Sequence, residues 1–149
     1  MTAPFVRIRV AAIIVENGRI LLEKHGKDGR EYWVLPGGGV DVGETLSEGL
    51  RRELREEIGI ESETGDIAFA CEAIAPDASR HILQLALMAT ITGGTPHVTG
   101  YDKRVIDVAW IPVGEVAGLE MYPTVQGHLA EALRAGIPHR TDSLGNVWR

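Results

Sequence analysis

The sequence predicts an α/β domain built on a mixed β-sheet with helices on both faces. Three observations lead there. An early strand is apolar on both of its faces, several strand-like runs follow between turn signals, and two segments carry a single apolar stripe at helical spacing. A strand buried on both faces needs cover on each side of its sheet, and helices supply that cover.

Each element has its own signature. From Val6 to Val15 the chain first alternates, with Val6, Ile8 and Val10 between Arg7 and Arg9, and then runs apolar through Ala11, Ala12, Ile13, Ile14 and Val15. Asn17-Gly18 is a hairpin signal, because both residues tolerate positive φ. Arg19 to His25 returns as the partner strand, and Gly26 to Glu31 reads as a polar loop. Tyr32 to Leu35 is a short apolar stretch that stops at Pro36, and Gly37-Gly38-Gly39 reads as a pliant bend able to approach a ligand closely. A helix starts near Thr45, where Thr45 and Glu48 fit a capping box. Leu46, Leu50, Leu54 and Ile58 form its apolar stripe, and Gly59 falls at its C-cap.

Strands follow at Ile67 to Ala75, at His81 to Thr92 and at Arg104 to Ile111, with Gly93-Gly94 and Pro96 marking a turn. A last helix spans Thr124 to Ala135, carries Val125, Leu129 and Leu133 on one side, and is closed by Gly136 and Pro138. Arg140 to Arg149 shows no period. With no internal repeat or linker, residues 1–149 read as one domain.

Composition narrows the partners. The net charge is −6 with no basic block, which argues against a long nucleic acid. An acidic protein that holds a phosphorylated small molecule needs a cation to do so. No apolar run reaches the roughly 18 residues of a membrane helix, and Met1 to Phe5 lacks the basic and apolar regions of a secretory signal. Cys71 is the only cysteine, so no internal disulfide forms, and a reducing cytoplasm is the expected compartment.

The chemistry concentrates between Gly38 and Ile60. Glu53, Glu56 and Glu57 are spaced i, i+3 and i+4, which places them within an arc of roughly 100° on one helix face. Like charges at these spacings repel. One reading is a solvated face in which Arg52 and Glu56 form an ordinary i,i+4 pair. The other is that a cation sits among the carboxylates, and oxygen-only ligands suit a hard one such as Mg²⁺. The glycine segment directly ahead of the helix favours the second, since it sets exposed backbone beside the acidic cluster.

The same residues are similar to the Nudix family signature, G-x5-E-x7-R-E-U-x-E-E-x-G-U with U aliphatic. Gly38, Glu44, Arg52, Glu53, Leu54, Glu56, Glu57, Gly59 and Ile60 occupy every specified position, and Leu35-Pro36-Gly37 resembles the usual lead-in. The resemblance implies an α/β/α sandwich and metal-dependent hydrolysis of a phosphoanhydride bond in a nucleoside-diphosphate-linked small molecule. Nucleotide sugars, ADP-ribose, modified nucleoside triphosphates and dinucleoside polyphosphates all qualify. It implies Mg²⁺ as cofactor, with Mn²⁺ as a substitute, and leaves a homodimer open. A catalytically inactive nucleotide-binding sensor on the same fold is the alternative reading. An isomerase reading would need a catalytic cysteine, and Cys71 reads as a small buried residue in a strand.

Carried over position by position, Glu53, Glu56 and Glu57 hold the metal, with the Gly37 carbonyl as a further ligand. Glu53 or Glu56 orients or deprotonates the attacking water, and Arg52 pins the glutamates. Glu44 ties the loop to the helix, and Gly38 and Gly59 meet backbone requirements. One departure concerns the segment Gly100 to Arg104: Lys103 stands where relatives often carry a late glutamate, so either Asp102 substitutes or the base lies within the box. For the substrate, Arg7, Arg9 and Arg80 are candidate phosphate contacts. Trp33, Tyr101 and Trp110 are candidate stacking surfaces or core. Pro76 lies 16 residues past the box, a spacing similar to that of ADP-ribose-cleaving members.

Overall fold

The computed structural model describes residues 2–136 and 142–148. Its elements are β1 (Arg7–Ile13), β2 (Val15–Glu16), β3 (Arg19–Lys27), β4 (Arg30–Val34), β5 (Gly37–Gly39), α1 (Leu46–Ile58), β6 (Glu61–Ile74), β7 (His81–Gly93), β8 (Val105–Pro112), a 3-10 segment (Val113–Gly118), α2 (Gln126–Ala135) and β9 (Asp142–Asn146). The strands divide between two sheets. One has five strands in the order β5-β1-β7-β6-β9, and in the other β3 pairs β2, β4 and β8. The five-stranded sheet is mixed: β1–β7 and β6–β9 run parallel, β1–β5 and β6–β7 antiparallel.

Strand parity explains the doubly apolar first strand. Val10, Ala12 and Ile14 pack with Leu50, Leu54 and Ile58 of α1 in one core. Ala11 and Ile13 point the other way and pack with Phe69 and with Leu129 of α2. The sheet therefore lies between helices, as the apolar pattern predicts. Among the described residues no helix is long and apolar enough to cross a membrane.

The first helix is bounded by the residues that the sequence marks. Thr45 accepts a hydrogen bond from the Glu48 backbone N–H at 3.1 Å. Gly59 takes φ +70, and its N–H donates to the Arg55 carbonyl at 3.2 Å. Glu44 fastens the turn ahead of the helix. Its carboxylate accepts from the Asp41 N–H at 2.9 Å and from Nε and Nη2 of Arg52 at 2.7 and 2.9 Å. The Arg52 bonds, with the Asp41 bond behind them, hold the Glu44 carboxyl at about 2.

Several elements differ from the sequence reading, and β6 begins at Glu61, six residues before the expected Ile67. Gly26 to Glu31 is not a loop: β3 runs to Lys27 and β4 begins at Arg30, joined through Asp28 (φ +52) and Gly29 (φ +76). This is the same two-residue chemistry as Asn17-Gly18. The three glycines are not a bend but strand β5, paired with β1 so that Gly39, Gly38 and Gly37 face Arg9, Val10 and Ala11. A Cβ at Gly37 would collide with the Val10 carbonyl, so only glycine allows this approach. Helix α2 starts at Gln126, two residues after Thr124, with no side-chain cap. The tail contains β9, whose partner is β6. Pro138 lies outside the described residues.

Leu54 is fully buried, whereas Val42 is fully exposed. Leu54→Ala should therefore cost about 2–5 kcal/mol in urea unfolding, and Val42→Ala should stay within about 0.5 kcal/mol. Similar losses for both would contradict this core. The Glu44 carboxyl is depressed in the folded state, so its contribution is present above the ordinary carboxylate range and is lost as pH falls towards 2. The wild type should then lose stability between roughly pH 5 and pH 2 more steeply than Glu44→Gln. Parallel acid-unfolding curves would show that the Glu44–Arg52 bond contributes nothing.

Candidate active site

A cavity of about 520 Å³ opens on the five-stranded sheet. Its lining comes from β1 (Arg7, Arg9), β5 (Gly37, Gly38, Gly39), α1 (Glu53, Glu57), β7 (Ile82, Gln84), β4 (Tyr32, Val34) and the loop from Tyr101 to Arg104. Arg80 and Tyr122 also line it. Two of the three helical acids, the glycine strand and three of the arginines named from sequence thus share one space.

Arg52 organises the helix face. Beyond its two bonds to Glu44, Nη2 donates to the Gly39 carbonyl at 2.9 Å, and Nη1 reaches Glu53 at 2.9 Å and Glu56 at 3.3 Å. A single guanidinium therefore spans the turn, the glycine strand and two acids of the cluster, and a planar five-donor group can do this where a lysine cannot. The Glu53 carboxylate lies against Gly38, where a Cβ would overlap it. Glu56 is outside the cavity lining and accepts from the Tyr101 hydroxyl as well as from Arg52.

Glu57 is the buried member. Burial first, and Glu23 next, push its carboxyl well above the usual range. Glu23 on β3 is fully buried, and its Oε2 lies 3.2 Å from Nε2 of His25. The other Glu23 oxygen, Oε1, and Oε2 of Glu57 are buried with no hydrogen-bond donor among the described residues. Two such acceptors in a low-dielectric site call for a proton or a cation. Among the described residues no three His, Cys, Asp or Glu side chains already close on one point. The donor set is nevertheless all oxygen and carries two unsatisfied buried atoms, which fits a hard divalent ion.

Arg9 supplies positive charge without cancelling it. Nη1 donates to Gln84 Oε1 at 2.6 Å and Nη2 to the Leu35 carbonyl at 3.0 Å, both neutral acceptors. Its charge is therefore still available to a ligand. Arg80 lies over the Tyr122 ring, 5.7 Å from its centre.

Other residues named from sequence fall elsewhere. Trp33 does not line the cavity. It sits between Tyr32 and Val34, which do, so the two-residue period of β4 turns it to the opposite face, where it packs on the core with Lys24 5.4 Å above its ring. Trp110 also packs against core. Asp102 lines the cavity, but its carboxylate is taken by Nε and Nη2 of Arg104 at 3.2 and 2.9 Å and by the Arg104 N–H at 2.9 Å. Cys71 is buried, and burial pushes its thiol up to about 11.

Among the residues at the site that the sequence reading did not single out are Glu23, His25, Tyr32, Gln84 and Thr99. Glu23 and His25 carried a signal, since they continue the parity of buried Leu21 along β3 and so put polar groups on an inward face. Thr99 carried none. Its hydroxyl donates towards the carbonyls of Glu56 and Glu57 at 2.6 and 3.0 Å, closing the last turn of α1 from a distant loop.

Comparison with known proteins agrees with this geometry. The family model described as the NUDIX domain matches residues 6–133. Nucleoside triphosphatase NudI of Enterobacter sp. is 33% identical over 115 residues, covering 70% of this chain and 81% of the relative. A MutT-like protein of Streptomyces ambofaciens is 28% identical over 137 residues, covering 91% of this chain and 82% of the relative. The solution structure of the E. coli ORF135 protein superposes with a TM-score of 0.73 at 28% identity, covering 91% of this chain and 95% of that one. With an intact signature running from β5 through α1 and a family match across most of its length, the chain belongs to the NUDIX family and is a Nudix hydrolase.

Proposed function

We propose that this Nudix hydrolase uses a divalent cation, Mg²⁺ or in its place Mn²⁺, to hydrolyse a phosphoanhydride bond in a nucleoside-diphosphate-linked small molecule. The observation that carries the reading is the juxtaposition, in one cavity, of Glu53 and Glu57 of α1 with Arg7, Arg9 and Arg80, which make no ion pair among the described residues. Nudix relatives include a nucleoside triphosphatase, which fits a substrate containing a phosphoanhydride.

Glu53, Glu56, Glu57 and the Gly37 carbonyl would hold the cation. When bound, it would lower the pKa of water and offset charge on the phosphate oxygens. The chain's own residues do the remaining work. Arg52 keeps Glu53 and Glu56 oriented, so that either can align the attacking water or take its proton. Because Asp102 is occupied by Arg104, the base is assigned to the box and not to the loop, and Lys103 adds positive charge to the lining. Arg9, Arg7 and Arg80 meet the phosphates and hold them by charge-assisted hydrogen bonds.

Purified protein with Mg²⁺ should release phosphate or a nucleoside monophosphate from at least one member of a panel of nucleotide sugars, ADP-ribose, modified triphosphates and dinucleotides, and EDTA should stop the release. Glu57→Gln and Glu56→Gln should each lower kcat by about 100-fold or more with unchanged circular dichroism. Full activity in both variants would refute the metal assignment. Arg52→Lys should also lower kcat, because the three donors on a single lysine nitrogen cannot reach the acceptors that the guanidinium spans. A wild-type rate there would mean that the glutamates orient themselves.

A further inference from the structure

The three glycines of β5 are not equivalent, and the third has no evident structural reason to be glycine. At Gly37 a Cβ would strike the Val10 backbone, and at Gly38 it would overlap the Glu53 carboxylate. At Gly39 the backbone angle is open to any residue, since φ is not positive there. A Cβ at Gly39 would meet only Arg7, standing 2.7 Å from Nη2 and 3.9 Å from Cζ. The guanidinium of Arg7 therefore lies across the bare backbone of β5. In β-sheet register Gly39 faces Arg9, the next residue of β1 on the same side as Arg7.

We propose that Gly39 is a positioning residue: by carrying no side chain it lets Arg7 lie over β5 and join Arg9 in a two-cation clamp for the phosphate group that the metal does not hold. The inference rests on the proposed phosphoanhydride substrate and adds to it a defined second contact. Neither arm is tied up in an ion pair among the described residues. Arg9 is fixed by the neutral Gln84 amide and the Leu35 carbonyl, and among the described residues Arg7 makes no ion pair. Both line the cavity that contains Glu53 and Glu57. A pair of guanidinium groups that no carboxylate holds in direct contact, beside a carboxylate cluster, suits an anion whose other oxygens face the cation. The Gly39 carbonyl meanwhile accepts from Arg52 at 2.9 Å, so one residue connects the group that orients the acids to the group that clamps the phosphate.

The geometry also makes the idea separable from folding. The atom displaced by a methyl group at Gly39 is the far end of a flexible side chain, and a strand alanine has less freedom to lose than glycine on folding. Gly39→Ala should thus keep the thermal midpoint of the wild type or exceed it. With the preferred substrate from the panel above, Gly39→Ala and Arg7→Gln should each raise KM about tenfold, with kcat within about threefold. The double variant should be no worse than Arg7→Gln alone, because both changes remove the same contact. Isothermal titration of the Mg²⁺-loaded protein with inorganic pyrophosphate should show the same tenfold weakening in both single variants. That arm needs no turnover, so it tests the clamp even if no hydrolysis is found. Additive effects in the double variant, a loss confined to kcat, a lowered midpoint with normal KM, or pyrophosphate affinity unchanged by either substitution would each overturn the proposal.

Discussion

The site depends on one guanidinium. Arg52 is the group that lets an acidic helix face stand beside a glycine strand without flying apart. It is bidentate to Glu44 and also holds Glu53, Glu56 and the Gly39 carbonyl, so it links the turn, the strand and the cluster in one plane. Like charges at helical spacing repel, and a shared cation is the least costly way to keep two of them aimed at one place. The third, Glu57, escapes this arrangement and is buried against Glu23, where a proton or cation must take up the charge. The cluster is therefore two problems solved differently: Arg52 answers for the rim, and the buried acid pair is what a bound divalent ion would satisfy.

Charge distribution reconciles an acidic protein with an anionic ligand. The chain carries −6 overall, yet its cavity collects Arg7, Arg9, Arg80 and Lys103 beside Glu53 and Glu57 of the helix. Where an acid could have neutralised this region, it has another partner: Asp102 is bound to Arg104. Positive charge held on neutral acceptors, as Arg9 is by Gln84 and Leu35, stays available to the ligand and requires no rearrangement when it binds. Net charge alone says nothing about this, because it sums over surfaces that never face the substrate.

The relation between reading a strand and placing a side chain is plain at β4 and β5. Trp33 is one of three aromatics that the sequence offers as a stacking surface or as core; Tyr32 and Val34 face the cavity and Trp33 faces the core. One residue of register decides it, and register comes from pairing with β3, not from composition. The glycines looked like a bend because glycine usually marks one. Pairing with β1 made them a strand, and the crowding there turned three similar residues into three different requirements.

Local patterns in the sequence were enough for the first helix, with its Thr45 and Gly59 boundaries, its apolar stripe and its acidic arc, because these depend on helical pitch and backbone angles within a few residues. The same short-range logic determined the family signature and the doubly buried first strand. Tertiary structure alone decided which distant groups complete the site: Glu23 against Glu57, Gln84 on Arg9, Thr99 on the end of α1, and Arg7 over Gly39. These contacts join residues far apart in the chain, and they exist only once strand order and register bring those residues together. No periodicity within a single segment encodes that.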